Sequence, residues 1–231
     1  MMESAAPRIL MTTDTVGGVW NHSVELAREL VQRGHDVLLA ALGPELSATR
    51  RSDIARLRGV DLAWTQSRLC WMEDPWRDVA HARAWLCELE RSYRPAVIHV
   101  NTLGHAAAGW HAPVLTVGHS CVLSWFEGAK GTAAPWRRWA RYRAEVTRGL
   151  QQSDIVAAPT RAMAASLQRH YGPLPQVRAI YNGVDAASST GNDAVREPVI
   201  VAAGRVWDEA KNVAALARIA PRLRWPVEVA G

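Results

Sequence analysis

The stretch Arg8-Ile9-Leu10-Met11-Thr12-Thr13-Asp14-Thr15-Val16-Gly17-Gly18, continued by Val19 to Val31, decides how the chain begins to fold. Arg8 to Thr13 is a short, largely apolar run of strand length, and Gly17-Gly18 breaks it. Beyond the glycines, Val24, Ala27, Leu30 and Val31 recur at helical spacing and form one apolar face. Gly34 stops that helix as a C-terminal cap does, and Val37 to Leu42 is an all-apolar second strand. Strand, glycine turn, helix and buried strand imply a parallel pair joined by a right-handed crossover.

Outward from this unit the alternation continues. A helix is expected around Ser52 to Arg58 and a strand from Val60 to Trp64. Asp74-Pro75 then supplies an N-cap and first-turn proline to a helix carrying Val79, Ala82, Leu86 and Leu89. Strands follow at Ala96 to Asn101 and Val114 to Gly118, the latter ending at His119. A long helix from Pro135 to Leu150 leads to a strand at Ile155 to Ala158. Thr160 caps a helix running to Tyr171, Val177 to Tyr181 is a further strand, and Asn182-Gly183 is a turn.

The fold class is therefore α/β, a Rossmann-like doubly wound parallel sheet whose ligands bind beyond the carboxyl ends of its strands. This first domain is expected over residues 1–185, and the polar, weakly patterned stretch 186–197 reads as a linker. Residues 198–231 hold a single βαβ unit, from Pro198 to Ala203, a helix over Asn212 to Ala220, and Val227 to Gly231. One unit alone is too short to bury Val199, Ile200, Val201, Leu216, Ile219 and Val229, which invites self-association or a partner.

Composition removes several classes of function. With 48% hydrophobic and 21% charged residues the chain is not disordered, and no apolar run approaches the roughly 20 residues that span a bilayer. Cys70, Cys87 and Cys121 make neither an even disulfide set nor a CxxC pair. The net charge of +5 is carried mostly by arginine, with lysine only at Lys130 and Lys211, and no nucleic-acid-binding signature accompanies it. The start of the chain lacks the pattern of a secretory signal, so the cytoplasm is the expected compartment. Trp136-Arg137-Arg138-Trp139-Ala140-Arg141-Tyr142-Arg143 is basic and aromatic enough to rest on the inner face of an anionic membrane, but Trp139, Val146 and Leu150 also make an ordinary core-facing stripe with the arginines in solvent, which is the favoured reading.

Gly17-Gly18 is not a dinucleotide fingerprint, because the spaced third glycine is missing and no acidic residue closes the second strand. No lysine follows the pair, so it is no Walker loop. It remains a turn with backbone N–H groups at a helix N-terminus, which suits a phosphate. Gly204-Arg205 with Lys211-Asn212 offers a second phosphate site, where an arginine fork and a lysine charge can stabilise a leaving diphosphate. Ser120 is not a nucleophile elbow, since Val122 stands where glycine is required. His119, at the end of a central strand, is able to exchange a proton or to serve as a hydrogen-bonded core histidine.

Taken in order, Gly17-Gly18-Val19, Leu26 to Leu30, Arg33 to Val37, Asp154 to Thr160, Tyr181-Asn182-Gly183-Val184-Asp185 and Gly204-Arg205 with Lys211-Asn212 resemble the retaining GT-B glycosyltransferases of the group 1, subfamily 4-like type. The resemblance implies a GT-B fold with only the start of its second Rossmann-like domain. It implies transfer of a sugar from a nucleotide-sugar donor, a substrate rather than a cofactor, to the hydroxyl of an unidentified acceptor with retention. His119 would face the donor sugar as the catalytic residue, while Gly17, Gly18, Arg205 and Lys211 would bind the donor phosphates. Asp14, Asn21, His99 and Asn101 are further candidates for the acceptor cleft. No metal is implied, since the chain has no Asp-x-Asp. The family's Glu-x7-Glu is also missing, so truncation is expected. A binding module without catalysis and a sugar-nucleotide epimerase of the same fold are the rival readings.

Overall fold

The computed structural model describes residues 7–183 and 197–231. Seven parallel strands form one sheet in the order β3-β2-β1-β4-β5-β6-β7: β1 (Arg8–Asp14), β2 (Asp36–Gly43), β3 (Val60–Gln66), β4 (Val97–Val100), β5 (Val114–Val117), β6 (Ile155–Ala158) and β7 (Val177–Ala179). The order reverses between β1 and β4, so the chain winds outward from the middle of the sheet in both directions. Register confirms the first reading: Ile9 lies against Val37 and Thr13 against Ala41. Helices α1 (Gly18–Gln32), α2 (Ala48–Ala55), α3 (Trp76–Tyr93), α4 (Val122–Trp125), α5 (Trp136–Gln152) and α6 (Arg161–Tyr171) connect the strands.

The two-sided covering explains why β2 is apolar throughout. Leu38, Ala40 and Leu42 pack with Leu86 and Ile98, whereas Val37, Leu39 and Ala41 pack with Trp20, Ala27 and Ile54. Alternate residues of one strand serve two cores. At the end of α1, the Gly34 N–H donates to the Val31 carbonyl and the His35 N–H to that of Leu30, which closes the helix as a Schellman motif.

Some element ends depart from expectation for identifiable reasons. Ser47 accepts from the Arg50 N–H, so α2 starts at Ala48 and closes at Ala55, earlier than the expected Ser52 to Arg58. Asp74 does not cap α3; it sits in the left-handed region with φ 41°, Pro75 takes the cap position, and no side chain caps the helix. Asp78, in the first turn, accepts instead from the Arg68 N–H. Strand β7 ends at Ala179, and the expected Asn182-Gly183 turn borders residues 184–196, which lie outside the described residues together with nearly all of the expected linker.

Helix α5 turns its apolar stripe to the core. Tyr142, Val146 and Leu150 are buried in the core beside α6, with Trp139 packed against them, so the apolar stripe is used by the fold. Thr160 caps α6 as read, accepting from the Met163 N–H. Thr160→Ala is expected to cost about 1 kcal/mol, read as a lower urea midpoint at unchanged slope.

The chain divides into two compact units. The first runs to Ser124 and resumes at Ala134, and Trp125–Ala133 groups with the C-terminal residues. In this second unit β8 (Ile200–Ala203) pairs in parallel with β9 (Val227–Ala230) through α7 (Val213–Ile219). Among its described residues no apolar side chain is buried. Val201 is 63% exposed, Trp207 70% and Val229 45%. No helix among the described residues is long and apolar enough to cross a membrane.

Candidate active site

In a parallel sheet every strand delivers its last residue to the same edge, and in the first unit the polar residues gather there. Asp14 ends β1, Asn101 follows β4, and His119 stands two residues past β5. The backbone reaches His119 through Gly118, where a Cβ would fall 2.5 Å from a Leu167 methyl, so any larger residue there would require the Leu167 side chain to shift. Asp14, Val19, Asn101, His105, His119 and Tyr142 are among the residues lining a small cleft that opens to solvent.

A hydrogen-bonded chain organises its floor. The Asn101 Nδ2 donates to the Thr12 carbonyl at 3.0 Å and to Ser23 Oγ at 3.3 Å. Asn101 N–H donates to Thr12 Oγ1 at 2.9 Å, and Thr12 Oγ1 shares a hydrogen bond with Thr102 Oγ1. Asn101 Oδ1 lies 2.9 Å from His119 Nε2. The His22 ring packs edge-on against the His119 ring, with centroids 4.6 Å apart.

Burial, and then the neighbouring His22 and His99, lower the His119 pKa to about 3. His99, on β4 and buried, is pushed down to about 4, chiefly by burial and then by His22, with an Asn101 hydrogen bond opposing. Burial lowers His22 as well. Three imidazoles are thereby held neutral at physiological pH.

The Gly17-Gly18 turn differs in one respect from its reading as free N–H groups. Asp14 Oδ1 accepts from both the Val16 and Gly17 N–H groups at 2.9 Å, so Gly17 is engaged. This leaves Gly18 and Val19, whose N–H groups open α1 and have no acceptor within the helix. A side chain placed at Gly18 would meet nothing within 4 Å, so space above the turn is open. Asn21 is exposed on α1, while His99 lies buried.

Arg205 and Lys211 belong to the second unit. The Arg205 guanidinium pairs with Asp208 at 2.6 Å and stacks over Trp207 with 5.2 Å to the ring centroid. Asp208 also accepts from the Trp125 indole and from the Ala210 N–H. Burial works against its charged form, but these hydrogen bonds prevail and its pKa is lowered. The aliphatic stem of Lys211 lies across Gly204, 3.4 Å from where a Cβ would stand, and its side chain is exposed. The expected cations thus flank one turn, with Arg205 held in place by a carboxylate that the sequence reading did not single out. Among the described residues no cluster of three or more His, Cys, Asp or Glu side chains is placed to hold a metal.

The profile of Glycosyltransferase Family 4 matches residues 16–188. The chain belongs to this family. It is similar in fold to a glycosyltransferase from Rickettsia africae ESF-5, with a TM-score of 0.63 and 13% identity over 98% of this chain and 68% of that one. HepE from Anabaena, in complex with UDP, gives a TM-score of 0.63 and 10% identity over 97% of this chain and 69% of its own. The kitacinnamycin glycotransferase gives 0.60 and 16%, covering 97% of this chain and 65% of its own. This Family 4 chain thus spans about two thirds of each of these structures. No curated protein matches it.

The Family 4 match ends before Gly204, so it lends no weight to Arg205 and Lys211. The sequence reading passed over His22, Ser23 and His105 within the matched region, and Thr12 just before it. His22 had a signal, since it stands four residues after Gly18 and therefore on the same helical face. Thr12 interrupts an apolar strand, which in a buried element points to a hydrogen-bonded polar group.

Proposed function

We propose that the protein transfers a sugar from a nucleotide-sugar donor to an acceptor hydroxyl, with retention and without a metal ion. The observation that supports this most is the convergence of Asp14, Asn101 and His119 on one cleft at the carboxyl edge of the sheet, with Asn101 and His119 inside the family-matched residues. HepE of Anabaena, similar in fold, has been solved in complex with UDP-glucose, which makes a nucleotide-linked donor the first to test. In this reading His119 and Asn101 face the donor sugar and acceptor. The Gly18 and Val19 N–H groups of the first unit suit a phosphate, and in the second unit Arg205 and Lys211 suit the diphosphate, whose negative charge grows as the bond to the sugar breaks. Fixed cations and amide dipoles stabilise that charge without reorganisation, which is the work a metal does elsewhere.

His119→Ala tests the assignment in the cleft. Removing the ring deletes one contact to substrate and leaves Asn101 Oδ1 without its partner. Turnover is expected to fall roughly tenfold, and stability by about 1–2 kcal/mol, with the fold retained. Transfer rates and a urea melt measured on the same sample decide it: a folded variant with wild-type turnover contradicts the role.

A further inference from the structure

We infer that Asn101 is a positioning residue that fixes His119 in the Nε2–H tautomer, so that the cleft meets Nδ1 as a hydrogen-bond acceptor. The argument starts from the Thr12 carbonyl, which can only accept. The Asn101 atom 3.0 Å from it must therefore be the NH2 group, whichever way the amide is drawn. The other terminal atom of Asn101 is then the carbonyl oxygen, which also can only accept. It lies 2.9 Å from His119 Nε2, so that nitrogen must carry the proton. Asn101 and Thr12 are buried, at 5% and 0% exposure, and Ser23 holds the same amide from α1, so the amide cannot turn over without losing both bonds.

A neutral imidazole carries one proton, and placing it on Nε2 leaves Nδ1 with a lone pair. The neutral form follows from burial and from the company of His22 and His99, which keep the ring from charging. Among the described residues no group hydrogen-bonds Nδ1, nor is that nitrogen sealed away from solvent, and the ring lines the cleft. A neutral acceptor takes a hydrogen bond from a hydroxyl and gives none to a phosphate oxygen. Resting on the transferase reading, this assigns His119 to a sugar or acceptor hydroxyl and leaves the diphosphate to the amide groups and cations. It also removes His119 as the cation that neutralises the leaving group.

The tautomer can be read without any turnover. Long-range proton–nitrogen NMR spectra of the uniformly 15N-labelled 231-residue chain separate protonated from bare ring nitrogens, and loss of one ring's signals in His119→Gln assigns His119. The expected result between pH 6 and 8 is a protonated Nε2 and a bare Nδ1 in a single, unaveraged form. In Asn101→Leu the two nitrogens should average toward a tautomer mixture, and in Asn101→Asp the added carboxylate should raise the pH at which the ring charges. A protonated Nδ1 or an averaged ring in the wild-type chain overturns the inference, even if neither variant folds. The transferase reading stands or falls separately, on sugar transfer.

Discussion

Between pH 6.5 and 4 the protein is expected to lose stability steeply, because His99 and His105 are buried as neutral imidazoles. His105 is 1% exposed, neither of its ring nitrogens finds a partner among the described residues, and burial first and Arg83 second lower its pKa to about 3. Arg83 cannot move aside easily, since it donates to the Gly104 carbonyl and pairs with Glu145 at 2.7 Å. His99 is 8% exposed, lacks a partner at Nε2, and is lowered to about 4. In the unfolded chain both titrate near 6.5. Their folded values lie below that, so under acid the unfolded state binds more protons than the native state. The stability these neutral rings provide is complete above pH 6.5 and is lost as the pH falls toward their folded values.

Each ring contributes on the order of 1.4 kcal/mol per pH unit, and the pair nearly twice that, against about 5–15 kcal/mol for a whole domain. Urea midpoints at pH 7, 6, 5 and 4 should fall accordingly, and His105→Leu should flatten the lower part of the curve. Constant stability from pH 7 to 5 would show that the two rings find partners or solvent when charged.

Removal of the second-unit cations is expected to slow sugar transfer by about two orders of magnitude, roughly 3 kcal/mol of transition-state stabilisation for each. The two variants are not equivalent tests. Arg205→Ala also strips the positively charged partner from the Asp208 carboxylate, whose side chain is 8% exposed, leaving it only the Trp125 and Ala210 N–H donors, so folding suffers with activity. Lys211 is exposed and forms no ion pair among the described residues, so Lys211→Ala should lower kcat/KM with the melt unchanged. Arg205→Lys separates the two roles of the first site: a compact charge can remain near the phosphate, but the fork onto Asp208 and the stacking on Trp207 are lost. Wild-type turnover in both Lys211→Ala and Arg205→Ala contradicts the assignment.

The elements that sequence reading found best are those in which local and tertiary signals agree. Helix α1 has its apolar stripe, its glycine turn and its Gly34 stop. β2 is apolar because both faces are covered, and Thr160 stands before α6 with a hydroxyl in reach of Met163 N–H. Where a local signal had a competitor the reading slipped. Asp74-Pro75 has the composition of a helix start, but Asp74 takes a positive φ and Pro75, which has no capping side chain, occupies the cap position.

The site was legible by position rather than by partnership. His119, Asn101 and Asp14 were singled out because strands end there, yet nothing local joins Asn101 to Thr12 and Ser23, residues 89 and 78 positions away. The excursion of Trp125–Ala133 into the second unit has the same character. The indole of Trp125 meets Asp208 across 83 residues, and Lys130 pairs with Glu209 across 79. Such contacts are set by topology, and no periodicity announces them.

The most direct test of the account is a transfer assay on the protein expressed with whatever sequence its gene encodes beyond Gly231, in the presence of a metal chelator. A panel of nucleotide-linked sugars is supplied with mixed hydroxyl acceptors, and released nucleoside diphosphate and new glycosides are measured together. The account predicts one new glycoside, of the donor's anomeric configuration, for each nucleoside diphosphate released. Release of a free, epimerised sugar without any glycoside, or neither binding nor turnover of any donor in the panel, would contradict it.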